Sequence, residues 1–133
     1  MQVRDVMRTD LKTVDVDATV GDAITALADV HVSALPVTDA RGRALGVVST
    51  TDILCALAET TEPGERERLF ADAPVREIMT PRPQVIEPDA DVLDAARQML
   101  QREVHRLFVE EQGRIVGVIS QTDIVAVVAT AKL

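Results

Sequence analysis

Tyrosine and tryptophan are absent from this chain, and Phe70 and Phe108 are its only aromatics. Without exposed aromatic rings there is no platform on which the bases of a single strand can stack. Positive charge is scarce too: 14 Lys and Arg face 22 Asp and Glu, a formal net charge of −8. Nucleic acids and anionic membranes both need a basic face, so neither is expected as a partner. A single cysteine, Cys55, excludes an internal disulfide and suits a reducing compartment. Two histidines and scattered carboxylates give no metal-ligand spacing, and no nucleophile stands beside either histidine. Neither a metal site nor a catalytic residue is assigned. With no signal-peptide pattern and no apolar run of membrane-spanning length, a soluble cytoplasmic protein is expected.

What the chain has in quantity is aliphatic side chain and repetition. Hydrophobic residues make up 47% of the 133, enough for one compact domain or two small halves sharing a core. Laying Val3 on Val75 aligns the chain with itself. "VRDVM" (3–7) meets "VREIM" (75–79), and "DATVGDA" (17–23) meets "DADVLDA" (89–95). "VSALPV" (32–37) then meets "VHRLFV" (104–109), and after one extra residue in the first copy "GRALGVVSTTDI" (42–53) meets "GRIVGVISQTDI" (113–124). Roughly a third of the paired positions are identical, which marks a tandem duplication.

Each repeat has the same internal order. An opening ending in Met7 or Met79 precedes an extended stretch, "KTVDV" or "QVIEP". Val20, Ala23, Ile24, Leu27 and Ala28 then fall at helical spacing, as do Val92, Ala95, Ala96, Met99 and Leu100. Thr19 and Asp91 are the expected N-caps, with Asp22 and Asp94 three residues on. A hairpin follows, its turn carrying Gly42 or Gly113. The closing helix starts at "STTD" or "SQTD" and presents Ile53, Leu54 and Leu57, or Ile124, Val125 and Val128. Cys55 reads as a buried small hydrophobe on that face, and His31 as a helix-end residue at the dipole. The expected fold class is α/β in the mixed α+β sense, two β-α-β-β-α repeats packed about a pseudo-two-fold axis with a cleft on either side. Repeat 1 is placed at 1–58, a linker at 59–74 made of the tail of the first closing helix and a charged solvated stretch, and repeat 2 at 75–133.

The doubled openings, "ALPV"/"RLFV" and above all "GVVSTTD"/"GVISQTD" before an apolar helix resemble a pair of cystathionine-β-synthase (CBS) domains, the tandem called a Bateman module. The resemblance covers nearly the whole chain and implies a non-catalytic regulatory module. No cofactor is required. Such modules bind an adenosyl ligand (AMP, ADP, ATP or S-adenosylmethionine) between the repeats and switch a partner protein. It also implies a homodimer formed through helices such as that of Ala23 to Leu27 and those after Asp52 and Asp123. The apolar closing segment 123–133 would be partly covered by the second subunit, and the effector protein is unknown.

By that resemblance Asp52 and Asp123 take the ribose hydroxyls. The first-turn groups Ser49, Thr50, Thr51, Ser120 and Thr122 are assigned to phosphate, where free helix N–H groups favour an anion. Val14, Leu35, Pro36, Val47, Ile86, Leu107 and Ile119 wall the adenine, with backbone near Thr13 and Val85 at its edge. Arg106 is the expected phosphate cation, with Arg82 as a second candidate, and Ala34 at the place of Arg106 in repeat 1 predicts unequal sites. Two plainer readings stand beside these. Ser-x-x-Asp is a capping box that serves only its own helix, and Arg106 pairs with Glu110 or Glu111 at the surface. Phe108 in place of Pro36 either narrows a cleft or fills the core. If the caps are only caps, the chain is a ligand-free interaction module.

Overall fold

A computed structural model describes residues 1–130. Its contacts divide the chain into two compact units, Lys12–Pro83 and Met1–Leu11 with Gln84–Leu133. The first holds β1 (Val14–Asp15), α1 (Val20–Val30), β2 (Ala34–Thr38), β3 (Ala44–Ser49), α2 (Thr50–Ala58), α3 (Glu65–Asp72) and β4 (Thr80–Pro81). Its sheet runs β1-β2-β3-β4. β1 is parallel to β2, with Val14 opposite Val37, so the chain must cross over between them, and α1 is that crossover. β2 and β3 form the expected hairpin, with Leu35 opposite Val48. The second unit repeats the pattern with β5 (Val85–Ile86), α4 (Val92–Arg102), β6 (Arg106–Glu111), β7 (Arg114–Ser120) and α5 (Gln121–Ala129). The architecture is mixed α+β, as expected.

Local signals explain the elements. Thr19 caps α1 in a full capping box with Asp22. Asp91 caps α4 by accepting the Leu93 N–H at 2.7 Å. Val20, Ala23, Ala26 and Leu27 bury one stripe of α1, and Val92, Ala95 and Met99 the same stripe of α4. His31 ends α1 in the left-handed region, as Glu103 ends α4.

The openings are exchanged. Val3, of repeat 1, sits in the core of Ile86, Leu107 and Ile119, while Val75, of repeat 2, sits in that of Val14, Leu35 and Val48. The backbone follows: β4 pairs with β3, putting Thr80 opposite Val47, and Arg8 bridges Val118 on β7. This gives the repeated glycine its reason. A Cβ on Gly46 would lie 2.6 Å from the Thr80 carbonyl oxygen and 2.8 Å from Met79 Sδ. On Gly117 it would lie 2.7 Å from the Arg8 oxygen and 2.9 Å from Met7 Sδ. Each glycine makes room for an arriving opening, and the openings' methionines fill the space beside it.

Several expectations need correcting. Residues 59–74 are not only solvated linker, because they contain α3, which packs on α1 where Gly21 admits the Phe70 carbonyl. Cys55 is exposed, not buried, and Leu54 is 65% exposed. The inward face of α2 is instead Ile53, Ala56 and Leu57, one helical stripe. Val125 and Val128 likewise point outward from α5, leaving Ile124 as its buried anchor. Ala23 and Leu27 are core residues, so any pairing face on α1 falls to others. Residues 131–133 of the apolar closing segment lie outside the described residues. Phe108 and Pro36 are both buried, so the substitution is a core replacement.

Candidate functional site

The two strand-to-helix joints are built alike. Ser49 and Ser120 are extended N-caps, each at the end of its hairpin's second strand. The Ser49 hydroxyl accepts the Asp52 N–H at 3.1 Å, and Asp52 Oδ2 accepts the Ser49 N–H at 2.9 Å. Ser120 and Asp123 repeat both bonds at 3.1 and 2.9 Å. Such a cap contributes about 1 kcal/mol to its helix. The first helical amide is also taken, since Thr50 N–H donates to the Ser33 carbonyl and Gln121 N–H to that of His105. Among the described residues the next amides, of Thr51 and Thr122, have no intramolecular acceptor. They face outward at the positive end of a helix dipole, where an anion is favoured.

Capping uses one oxygen of each aspartate, and the second oxygen meets the exchanged opening. Thr80 Oγ1 donates to Asp52 Oδ1 at 3.1 Å. Arg8 Nε lies 3.1 Å from Asp123 Oδ1, an ion pair whose carboxylate is 9% exposed and whose guanidinium side chain is 67% exposed. Solvent screens so exposed a guanidinium, and pairs of this kind contribute roughly 0–1 kcal/mol. Arg8 and Thr80 occupy equivalent repeat positions, and neither was among the candidates from sequence. The signal was there: each directly follows the repeated methionine, yet the two residues differ in charge.

The remaining candidates separate into surface and core. Thr50, Thr51 and Thr122 are exposed, on the first turns of α2 and α5. Thr13 is exposed, and Val47 and Val85 keep part of their surface. Val14, Leu35, Pro36, Ile86, Leu107 and Ile119 are buried. They fix the positions of the strands, and a molecule resting on the surface of either unit would touch their neighbours first. Arg106 stands opposite Ser120 in the β6–β7 ladder, where Ala34 stands opposite Ser49 in β2–β3. Arg82 follows β4 in a left-handed conformation with φ 61°, exposed. Among the described residues no cluster of side chains is arranged to hold a metal ion, and no helix is long and apolar enough to cross a membrane.

Two such joints, each closed by an exchanged opening, define a paired-repeat architecture that known proteins share. The CBS domain family matches at residues 3–59 and 75–130, and the chain belongs to that family. Among curated relatives, the chloroplastic CBS domain-containing protein CBSX2 of Arabidopsis thaliana is 27% identical over 89% of this chain. This chain spans 58% of that relative's length. CBS domain-containing protein YhcV of Bacillus subtilis is 28% identical over 92% of this chain and 81% of its own. The crystal structure of CBSX2 in complex with AMP superposes with a TM-score of 0.82 at 29% identity, covering 99% of this chain and 98% of that one.

Proposed function

We propose that this CBS pair is a non-catalytic sensor that binds an adenosyl ligand and signals to a partner protein. The carrying observation is the divided use of each aspartate. One oxygen caps the helix and the other faces a polar group on the exchanged opening, beside an unsatisfied helix amide. A carboxylate so placed can accept ribose hydroxyls without unmaking its cap, as acidic residues do in dinucleotide-binding folds. The AMP complex of CBSX2, similar over nearly its whole length, supports the class of ligand. In this reading Asp52 and Asp123 hold ribose, while Ser49, Thr50, Thr51, Ser120, Thr122 and Arg106 serve phosphate. Thr13, Val47 and Val85 offer surface to the base, supported from behind by the buried aliphatics. AMP, ADP, ATP and S-adenosylmethionine are the candidates. A homodimer in the cytoplasm is the proposed state, supported by the exposed apolar side chains of Leu54, Val125 and Val128 and by an unpaired, exposed Cys55.

The completed capping boxes favour a second reading, a ligand-free interaction module in which both aspartates serve only their helices. Calorimetric titration separates the two. AMP, ADP, ATP and S-adenosylmethionine are added to the native chain and to Asp52→Ala and Asp123→Ala, with folding followed by circular dichroism. The sensor reading expects micromolar binding that is lost at the mutated joint while the fold remains. No heat from any ligand, with variants that are merely less stable, would leave the interaction module.

A further inference from the structure

The two joints differ in what already holds the free carboxylate oxygen. At Asp52 it is a neutral hydroxyl, Thr80 Oγ1, which can rotate away and donate elsewhere. At Asp123 it is the Arg8 guanidinium, a fixed fork of donors with no acceptor, standing where a ribose diol must arrive. We propose that Arg8 makes the Asp123 joint selective for phosphorylated ligands, whereas the Asp52 joint takes a ribose with or without phosphate. The proposal rests on the sensor reading above and assigns specificity within it.

The argument is one of exchange. A diol that reaches Asp123 Oδ1 displaces a charge-assisted bond and leaves a cation without its partner. A ligand with no phosphate offers that cation nothing in return. A nucleotide offers phosphate oxygens, which match the guanidinium fork at least as well as the carboxylate did. The ion pair is exposed on its arginine side, so the guanidinium can turn without dragging buried structure with it. Arg106 across the ladder from Ser120 adds a second positive group at this joint, where the other joint has Ala34. Arg82, two residues beyond Thr80, gives the Asp52 joint some positive charge, yet no bond joins it to Asp52 among the described residues. The carboxylate there is not masked.

The test compares AMP with adenosine, a pair differing only in phosphate, by calorimetry at fixed ionic strength. Asp52→Asn confines binding to the Asp123 joint, and Asp123→Asn confines it to the Asp52 joint. With Asp52→Asn, AMP should bind at least roughly tenfold more tightly than adenosine. Adding Arg8→Thr should weaken AMP, strengthen adenosine and so lower the ratio, leaving only the preference that Arg106 and the helix end supply. Should the asparagine variants fail to fold, Thr80→Arg in the otherwise native chain replaces them, and it should lower adenosine stoichiometry by one site. An AMP-to-adenosine ratio unchanged by Arg8→Thr overturns the proposal while the sensor reading stands. Absence of binding by both probes in the native chain overturns the sensor reading and this proposal with it.

Discussion

At the start of α2 and at the start of α5 the same four backbone and side-chain groups meet at the same distances. Serine to aspartate bonds measure 2.9 and 3.1 Å in both units. One oxygen further out the likeness ends, with a threonine hydroxyl on Asp52 and an arginine on Asp123. The helix end is under the fold's control, because an uncapped first turn leaves half-buried backbone donors unmatched in either copy. What touches the outer oxygen makes neither of the two cap bonds, so the copies can differ there with both caps intact. A second difference lies at the helices. Gly21 of α1 admits the Phe70 carbonyl of α3, while Leu93, at the matching place on α4, is exposed and meets no such helix among the described residues.

If the joints are equivalent as structure, equal damage should cost each unit equally, and the largest test is at the paired glycines. Gly46→Ala and Gly117→Ala each place a Cβ within 2.7 Å of a backbone oxygen of the exchanged opening. Backbone cannot step aside as a long side chain can, so each opening must shift out of its core. A loss of about 3 kcal/mol is expected from each variant in urea denaturation. Losses of clearly different size would break the equivalence and show that one unit depends on its opening more than the other.

The caps give the next smaller effect and a sharper test. Ser49→Ala and Ser120→Ala should each cost about 1 kcal/mol, and Ser49→Gly and Ser120→Gly only a few tenths, because glycine accepts the extended N-cap backbone and lets water reach the amide. Equal values in both units would assign the serine and aspartate pair to the fold. A larger cost at Ser120 would mean that the Arg8 contact is cooperative with its cap.

Much of this was legible because repetition and capping are local. The 72-residue offset, the stripes of α1 and α4 and all four main caps can be read from residue spacing. The exchange of openings was not legible, for a physical reason. Val3 and Val75 are equivalent, as are Met7 and Met79, so either opening packs as well on paper against either glycine. The same blindness hid Arg8 and Thr80, whose importance depends on which joint each reaches. The buried face of α2 and α5 was misread because apolar residues run almost without break through 53–58 and 124–129, leaving no periodicity to choose a face. α3 was hidden among charges. It buries no side chain fully, yet "ERERLFA" after Pro63 and Gly64 is a run of good helix formers following a breaker.

The smallest expected effect lies at the hairpin turns, where the copies differ by one residue. The β6–β7 turn is shaped by backbone alone, with Gln112 and Gly113 at φ 53° and 80°. The longer β2–β3 turn is shaped by a side chain: Asp39 Oδ1 accepts the amides of Arg43 at 3.0 Å and Arg41 at 2.8 Å. The Arg43 amide above all, then the Arg41 amide and the two guanidinium charges, hold the Asp39 carboxyl below its ordinary 3.8, with desolvation opposing them in part. A carboxyl with a lowered folded pKa stabilises the fold above its unfolded value and loses that contribution as pH falls through the folded one. Asp39→Ala should therefore lower Tm slightly at pH 7. The gap between variant and native should narrow as the pH is taken below 3.8, while Gln112→Ala should show no such dependence on acid. A pH-independent gap at Asp39 would mean that the loop is held by its backbone bonds, Asp39 N–H to Arg43 O and Gly42 N–H to Asp39 O, and that both turns are backbone devices after all.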